Sequence, residues 1–177
     1  MKMPKNIETD RLLLVPMSRK YAEDVFREFT PELTYYMSPP TPSKIDDSID
    51  WIESTLPKYE AGTDFTFAII LKENGEFIGG GGIHNIDTMS PEFGIWTKKS
   101  SHGNRYGREA IRGANSWVDE NLKCDYVKYP VFADNIASRK IPESLGGVIF
   151  REYTEKNNVG VELPIVEYRI FKKDNCK

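Results

Sequence analysis

The sequence contains few of the residues from which metal centres and disulfide frameworks are built. Its 177 residues include two cysteines, Cys124 and Cys176, and two histidines, His84 and His102. Two cysteines are too few for a disulfide framework, and the chain has no paired Cys motif of the kind that structural zinc sites use. We therefore expect a reduced, intracellular setting, the cytoplasm, and no dedicated metal site.

Long apolar runs and an excess of positive charge are also absent. No apolar run approaches the ~18 residues that a membrane span needs. The opening Met-Lys-Met-Pro-Lys-Asn is not followed by an apolar core, so we expect no secretory signal. The formal net charge of −3 gives no general attraction to nucleic acid or to anionic lipid. We therefore expect neither a nucleic acid nor a membrane as a partner.

The composition is typical of a folded globular protein. Hydrophobic residues make up 39% of the chain and aromatic residues 12%, which is more than disordered segments contain. A chain of 177 residues can bury a sizeable core. There are no internal repeats and no linker-like stretches, so we predict a single domain over residues 1–177.

The N-terminal third predicts one strand and then two helices. The apolar run over residues 11–16 is typical of a buried strand. Ser18 caps the first predicted helix, which Thr30-Pro31 ends, while Ser43 and Asp46 begin the second in a pattern like a capping box. Pro57 bends or ends that second helix. Apolar residues at helical spacing define the buried faces of the two helices: Ala22, Val25, Phe26 and Phe29, then Ile45, Ile49, Ile52 and Leu56.

A proline-rich segment, residues 33–42, lies between these helices. Its three prolines prevent regular secondary structure. Tyr35, Tyr36 and Met37 within it either line a substrate pocket or pin the loop to the core through their large side chains.

Residues 64–84 predict a β-hairpin. Apolar residues dominate 65–71, and Glu73-Asn74-Gly75 is a turn signal before the returning strand. That strand contains four consecutive glycines, Gly79 to Gly82, which weaken a strand by themselves. Either another backbone or a ligand packs closely there, or the strand is bulged and twisted.

The stretch from Glu92 to Ala110 predicts a strand, a glycine-containing loop and the start of a helix. A helix N-terminus presents unpaired N–H groups and the positive end of the helix dipole, which together attract phosphate groups. His102, Arg105, Arg108 and Arg112 add positive or titratable groups nearby. The alternative is a connection that binds nothing, since a lone Gly-containing loop is a weak signal.

The C-terminal third predicts a strand over residues 126–132, a short helix and two final strands. Asn135 and Ser138 are both cap residues for that helix, with Pro142 in its first turn and Gly146-Gly147 at its end. The final strands lie at 148–153 and 163–171. The order of elements predicts an α+β fold with a mixed, largely antiparallel sheet flanked by helices.

Four motifs in this order resemble the GNAT superfamily of N-acetyltransferases, in the branch of the RimJ/RimL ribosomal-protein acetyltransferases. They are the opening Ile7-Glu-Thr-Asp-Arg-Leu-Leu-Leu14, the strand start Ile78-Gly79, the central strand Glu92-Phe-Gly-Ile-Trp96, and Asp134-Asn-Ile-Ala-Ser-Arg-Lys140 with Leu145-Gly146. The resemblance runs from about residue 7 to residue 171. It implies a GNAT-like fold, acetyl-CoA as co-substrate, and direct attack on acetyl-CoA by a primary amine, either a protein N-terminus or a small molecule.

The resemblance also implies a pyrophosphate loop, with two departures from the family pattern. His102 stands where the family has Gln or Arg, and Arg105 replaces the central glycine, whose lack of a Cβ lets the backbone approach the phosphates. Arg105 either obstructs the cofactor or donates to a phosphate. The loop's N–H groups extend to Arg108. The implied loop residues are His102, Gly103, Asn104, Arg105, Tyr106 and Gly107.

Further roles follow from the resemblance. Glu92 matches a position where the family often keeps a carboxylate, which would serve as the general base; the alternative is a solvated charge at a strand end. Ser138 matches the residue that protonates or hydrogen-bonds the departing thiolate of CoA, or it serves only as a helix cap. Asn135 matches a contact to pantetheine or substrate, and Tyr35, Tyr36, Met37 and His84 border the acceptor. Backbone groups of Ile95, Trp96 and Thr97 meet the pantetheine. The chain is expected to be a monomer or a homodimer. The alternative function is a GNAT-fold binding or regulatory module with impaired CoA binding.

Overall fold

The computed structural model describes residues 3–37 and 39–172, so Cys176 lies outside the described residues. The strands are β1 (Ile7–Glu8), β2 (Leu12–Pro16), β3 (Phe65–Leu71), β4 (Phe77–His84), β5 (Glu92–Thr97), β6 (Tyr126–Phe132), β7 (Val148–Lys156) and β8 (Glu162–Phe171). The α-helices are α1 (Ala22–Glu28), α2 (Pro31–Thr34), α3 (Ile45–Ala61), α4 (Tyr106–Asn121) and α5 (Ile136–Glu143). Short 3-10 helices span Arg19–Tyr21 and Lys99–Ser101.

The eight strands of the described residues form one sheet in the order β1-β2-β3-β4-β5-β6-β8-β7. Every neighbouring pair is antiparallel except β5 and β6, which are parallel. The larger hydrophobic cluster includes the buried face of α4 and the smaller one includes residues of α1 and α3. The predicted α+β class with a mixed, largely antiparallel sheet is confirmed. No helix in the described ranges is long and apolar enough to cross a membrane.

Strands β5 and β6 pair at one position only. Glu92 lies opposite Lys128, whose N–H donates to the Pro91 carbonyl over 2.8 Å. The next donor from β6 in a parallel ladder is the N–H of residue 130. That residue is Pro130, which has no N–H. Beyond this point each strand continues with its other neighbour, β5 with β4 and β6 with β8, and the two leave an opening that we call the β5–β6 gap.

The glycine run of β4 is explained by close approach of its neighbours. A Cβ on Gly81 would lie 2.6 Å from the Gly94 carbonyl oxygen of β5. A Cβ on Gly82 would lie 2.5 Å from the His84 ring. The strand also carries a register shift opposite Ile69 and Ile70. Close packing and an irregular strand, which the sequence offered as alternatives, therefore occur together.

Helix α1 ends at Glu28, before Thr30-Pro31, as predicted, but other local features of this region differ from the predictions. Pro31 opens the short helix α2, because proline fits a first helical turn. Asp47 rather than Asp46 closes the cap at the start of α3, accepting from the N–H and hydroxyl of Ser43 and from the N–H of Lys44. Helix α3 continues past Pro57 to Ala61, so of the two predicted effects of Pro57, ending the helix is excluded.

The apolar stripes are also less buried than the sequence predicts. Phe26, Ile45 and Leu56 are each more than a third exposed, whereas Val25 and Ile52 are buried. Pro142 lies in the last turn of α5 and not in its first, because the helix begins at Ile136.

The opening segment is fastened to the first turn of α4 through Glu109. The Glu109 carboxylate accepts from the Thr9 hydroxyl at 2.7 Å, from the Arg11 N–H at 2.8 Å and from the Arg11 guanidinium at 2.7 Å. Arg11 also donates to the Asn104 carbonyl in the loop before α4. Burial opposes the charge, but the hydrogen bonds from Thr9 and Arg11 hold the pKa of Glu109 below its ordinary value.

We expect Glu109→Ala to lower the free energy of unfolding by about 2 kcal/mol at pH 7, because it removes charge-assisted hydrogen bonds at a partly buried site. A carboxylate with a lowered pKa contributes stability above its unfolded-state pKa and loses it as the pH falls through the folded-state value. The difference from wild type should therefore shrink on acidification below about pH 4.5. Urea unfolding measures it. The control is Glu120→Ala on the exposed side of the same helix, and equal losses in the two variants would contradict the proposed anchor.

Candidate active site

Backbone groups that have no strand partner line the β5 side of the β5–β6 gap. The Lys98 N–H donates to the Ile78 carbonyl on β4. Because peptide groups alternate in direction along a strand, the groups of Trp96 also face β4, while those of Ile95 and Thr97 face the gap. The Thr97 carbonyl accepts from His102 Nε2 at 2.9 Å. Of the three predicted pantetheine contacts, Ile95 and Thr97 therefore face the gap, and the Trp96 side chain is buried in the smaller hydrophobic cluster.

The loop from His102 to Arg105 leads directly into α4. Gly103 has a φ of 84°, and the Asn104 amide donates to the Ser101 and His102 carbonyls at 3.2 and 3.4 Å. The N-cap, Arg105, makes no side-chain cap hydrogen bond. The N–H groups of the first turn have no intrahelical partner, so those of Tyr106, Gly107 and Arg108 point out of the helix end.

Arg105 adopts the backbone conformation that a glycine would take. Its φ of 63° and ψ of 20° lie in the left-handed region, which costs a non-glycine residue roughly 1–2 kcal/mol. The departure from the family pattern therefore changes the side chain at this position and leaves a glycine-like backbone in place.

Three elements converge beside the start of α4. A Cβ on Gly107 would lie 3.4 Å from Ile141 of α5, 3.9 Å from Ile95 and 4.0 Å from Thr97 of β5. Ser138 precedes Ile141 by three residues and so lies on the same side of α5. The fold thus brings the predicted residues of the central strand, the loop and α5 to one place.

Ser138 belongs to a hydrogen-bonded pair with a buried tyrosine. Its hydroxyl lies 2.9 Å from the Tyr129 hydroxyl, and its N–H donates to the Asn135 side chain at 3.2 Å. Burial raises the pKa of Tyr129 strongly, although the hydrogen bond with Ser138 opposes this. The phenol therefore stays protonated at neutral pH, and Tyr129 can donate to Ser138 while Ser138 donates onward. Asn135 also caps α5, so capping and a site role coexist at this residue.

Glu92 and His84 project to one face of the sheet. They lie directly opposite each other on β5 and β4, which places such side chains together. The Glu92 carboxylate lies 3.5 Å from Lys128 Nζ and is one-third exposed. The Nδ1 atom of His84 lies 2.8 Å from Asp64 Oδ1.

The segment with Tyr35, Tyr36 and Met37 is pinned to the β7–β8 connection. The Asn157 side chain donates to the Tyr35 carbonyl at 3.1 Å, and the Asn158 N–H donates to the Met37 carbonyl at 3.3 Å. Tyr36 contacts the Phe132 ring at the end of β6 with centroids 6.4 Å apart. These contacts hold the loop by its backbone and leave Tyr35 exposed.

An apolar cavity of about 270 Å³ lies between the start of α3 and the end of α1. It is lined mainly by Phe29, Trp51, Trp96 and the proline-rich residues 39–42. Ser48 also lines it, and the buried Ser48 hydroxyl has no hydrogen-bond partner among the described residues. Trp96 lies two residues beyond Gly94 on the same face of β5 as Glu92, so the cavity adjoins the face that carries Glu92 and His84.

Within residues 3–37 and 39–172, no group of three His, Cys, Asp or Glu side chains is placed to hold a metal ion.

Sequence reasoning missed three residues of this region. Asp64 lies 20 residues from His84, and no periodic pattern relates them. Tyr129 reads as an ordinary strand residue. Pro130 could have been found from the sequence, because a proline inside a strand has no N–H to donate to a neighbouring strand.

Comparison with known proteins gives both sequence and structural matches. Residues 11–148 match the acetyltransferase (GNAT) domain family. A comparison with curated protein sequences finds no match.

Three solved structures similar to this one are acetyltransferases of low sequence identity. RimL, a ribosomal-protein alpha-N-acetyltransferase, is 13% identical with a TM-score of 0.83, over 94% of this chain and 93% of that one. A ribosomal-protein-S5-alanine acetyltransferase from Vibrio fischeri is 15% identical with a TM-score of 0.81, over 96% and 97% of the chains. The microcin C7 self-immunity acetyltransferase MccE, in complex with acetyl-CoA and AMP, is 18% identical with a TM-score of 0.82, over 92% and 93%.

The family match covers most of the chain, and the structural matches share its fold over more than nine-tenths of their length. The chain therefore belongs to the GNAT family of acetyltransferases, enzymes that use acetyl-CoA as co-substrate.

Proposed function

We propose that the protein transfers the acetyl group of acetyl-CoA directly to a primary amine, with both substrates bound at once. The β5–β6 gap carries this proposal, because backbone groups without a strand partner lie next to the N-terminus of α4, which has no side-chain cap. A strand edge with unpaired N–H and C=O groups suits the amide-rich pantetheine arm, and a helix N-terminus suits the pyrophosphate.

Acetyl-CoA would lie with its pantetheine arm in the gap and its pyrophosphate at the N-terminus of α4. The backbone of Ile95 and Thr97 would hydrogen-bond the pantetheine, with Asn135 as a further contact. The N–H groups from Gly103 to Arg108 would meet the phosphates, and Arg105 and Arg108 would add positive charge. The glycine-like backbone of Arg105 supports a working loop, and no observation favours the alternative of a non-catalytic binding module.

The chemistry needs one proton removed before attack and another delivered after it. An ammonium group has no lone pair, so Glu92 is proposed to take part in removing its proton. The amine nitrogen then bonds to the thioester carbonyl carbon, and the carbon–sulfur bond breaks. Ser138, backed by Tyr129, would give a proton to the departing CoA thiolate and recover one from the nitrogen.

The acceptor would approach from the face that carries Glu92, bordered by Tyr35, Tyr36, Met37 and His84. The carboxylates of Glu92 and Asp64 favour a cationic amine on this face. The cavity beside Trp96 has room for an apolar group attached to that amine, and its unpartnered Ser48 hydroxyl offers one polar contact. A protein N-terminus with an apolar side chain and a small apolar amine both fit this description.

The proposed setting is the reducing cytoplasm, in which the buried Cys124 thiol stays free. The protein would act as a monomer or as a homodimer through its last strands. Strand β7 is a sheet edge, and Val148, Ile149 and Phe150 on it are each about half exposed, which suits the second possibility.

We expect the native chain to bind acetyl-CoA with micromolar affinity, measured by calorimetry, and Arg105→Gly to bind it about tenfold more weakly, because the variant loses one positive charge at the phosphates. The glycine variant loses roughly 1–2 kcal/mol of backbone strain, of which the greater chain entropy of glycine offsets about 0.5–1 kcal/mol. Its free energy of unfolding should therefore rise slightly. Binding by the glycine variant alone would favour the non-catalytic module, and no binding by either would show that the pyrophosphate loop lies elsewhere.

We expect Ser138→Ala to lower kcat about 10²-fold with little change in the KM for acetyl-CoA, because a proton donor acts in the transition state. Tyr129→Phe should give a smaller loss in the same direction. Release of the CoA thiol is measured with the best acceptor from a panel of primary amines with and without apolar groups. Ser116→Ala, an exposed serine of α4, is the control. A Ser138→Ala enzyme with unchanged kcat would contradict the proton-donor role.

A further inference from the structure

His84 lies where β5 begins to separate from β6. Its ring occupies the space above two glycines: a Cβ on Gly82 would lie 2.5 Å from ring atoms Cε1 and Nε2, and a Cβ on Gly94 would lie 3.4 Å from Nε2. Gly94 is two residues beyond Glu92, the position at which β5 and β6 pair. The Nε2 atom is therefore held at the mouth of the β5–β6 gap.

Asp64 fixes the protonation pattern of this ring. Its carboxylate lies 2.8 Å from His84 Nδ1 and is also reached by the Thr63 hydroxyl at 3.3 Å. An ionised carboxylate can only accept hydrogen bonds, so Nδ1 carries the hydrogen and the neutral ring keeps its lone pair on Nε2. The Asp64 side chain is 12% exposed and that of His84 is 39% exposed. The buried partner orients the ring, and the ring itself is partly open to solvent.

The charged groups around His84 suit a cationic acceptor. Asp64 lies just before β3, and Glu92 on β5 is the register partner of His84. Glu92 is itself paired with Lys128 of β6, and Tyr153 of β7 lies within electrostatic reach of Glu92. Glu92 thus already has Lys128 as a cationic partner. The lone pair on His84 Nε2 points away from Asp64 and is available to the acceptor ammonium.

We propose that His84 is the group that takes the first proton from the acceptor ammonium, with Asp64 as its positioning residue. This inference rests on the proposed function and divides the work on the acceptor side. Glu92 supplies negative charge that stabilises the ammonium and then the imidazolium, and His84 holds the proton.

The proton balance is complete. The ammonium R–NH3⁺ transfers one proton to Nε2, and the resulting imidazolium is stabilised by Asp64. The neutral amine attacks the thioester carbon, the carbon–sulfur bond breaks, and the second nitrogen proton passes to the CoA thiolate. The products are the acetamide and CoA thiol, and the imidazolium releases its proton to water.

The tautomer of His84 can be tested without any acceptor. The chain has only two histidines, so imidazole nitrogen NMR gives two sets of signals. We expect His84 to carry its hydrogen on Nδ1, and His102, which donates from Nε2 to the Thr97 carbonyl, to show the opposite tautomer. Asp64→Asn should remove the His84 preference. Two identical tautomers in the wild-type protein, or no response to Asp64→Asn, would overturn the assigned pair.

Kinetics test the proton-acceptor role. His84→Gln should lower kcat/KM for the amine about 10²-fold at neutral pH and leave acetyl-CoA binding unchanged, which also verifies folding. The rate of the variant should rise about tenfold per pH unit as more amine becomes neutral, while the wild-type rate levels off earlier. Asp64→Asn should also lower kcat/KM for the amine and make the rate depend more steeply on pH. Asp87→Asn, in the exposed loop after β4, is the control.

The two proposals fail in different ways. A wild-type protein that releases no CoA with any amine removes both the proposed function and the role of His84. An active wild type with a His84→Gln variant of equal rate, or with a loss that is the same at every pH, removes only the role of His84. If His84 is excluded in this way, a pH-dependent loss of rate in Glu92→Gln would assign the proton transfer to Glu92.

Discussion

The candidate site depends on the interruption of the hydrogen-bond ladder between β5 and β6. Pro130 has no N–H to continue the ladder after Lys128. Each strand is fully paired with its other neighbour, so the interruption produces the β5–β6 gap inside the sheet and not a frayed sheet edge. The backbone groups of Ile95 and Thr97 therefore face the β5–β6 gap. An opening inside a sheet is thereby obtained without loss of the core on either side.

Contacts between residues far apart in the sequence hold the remaining parts of the site in place beside the β5–β6 gap. Glu109 binds the opening segment to the first turn of α4, and Arg11 reaches the Asn104 carbonyl in the loop. Gly107 lets α4 approach β5 and α5. Much of the site is formed by backbone groups and by strand geometry. Low identity to structural neighbours is compatible with a shared fold for this reason, and side chains such as Trp51 and Ser48, which line the apolar cavity, are proposed to select the acceptor.

The sequence predicted the order of the larger elements, because hydrophobic periodicity and turn residues are local signals, but it did not predict the two-residue β1 or the four-residue α2. Local signals also misplaced Pro142, which satisfies a first-turn pattern equally well, and chose Asp46 over Asp47 as the cap. The pairs Asp64–His84, Tyr129–Ser138 and Thr9–Glu109 join residues on different elements, and their contacts follow only from the sheet register and helix packing. The roles of Glu92 and Ser138 came from resemblance and stay predictions.

The most direct measurement is a crystal structure of the protein with acetyl-CoA. We expect the pantetheine to lie in the β5–β6 gap, within hydrogen-bond distance of the Ile95 and Thr97 backbone, with the pyrophosphate at the N–H groups of Tyr106, Gly107 and Arg108. The acetyl carbon should lie between Ser138 and the face that carries His84. Acetyl-CoA bound away from the gap, or a gap closed by further pairing of β5 with β6, would contradict this expectation.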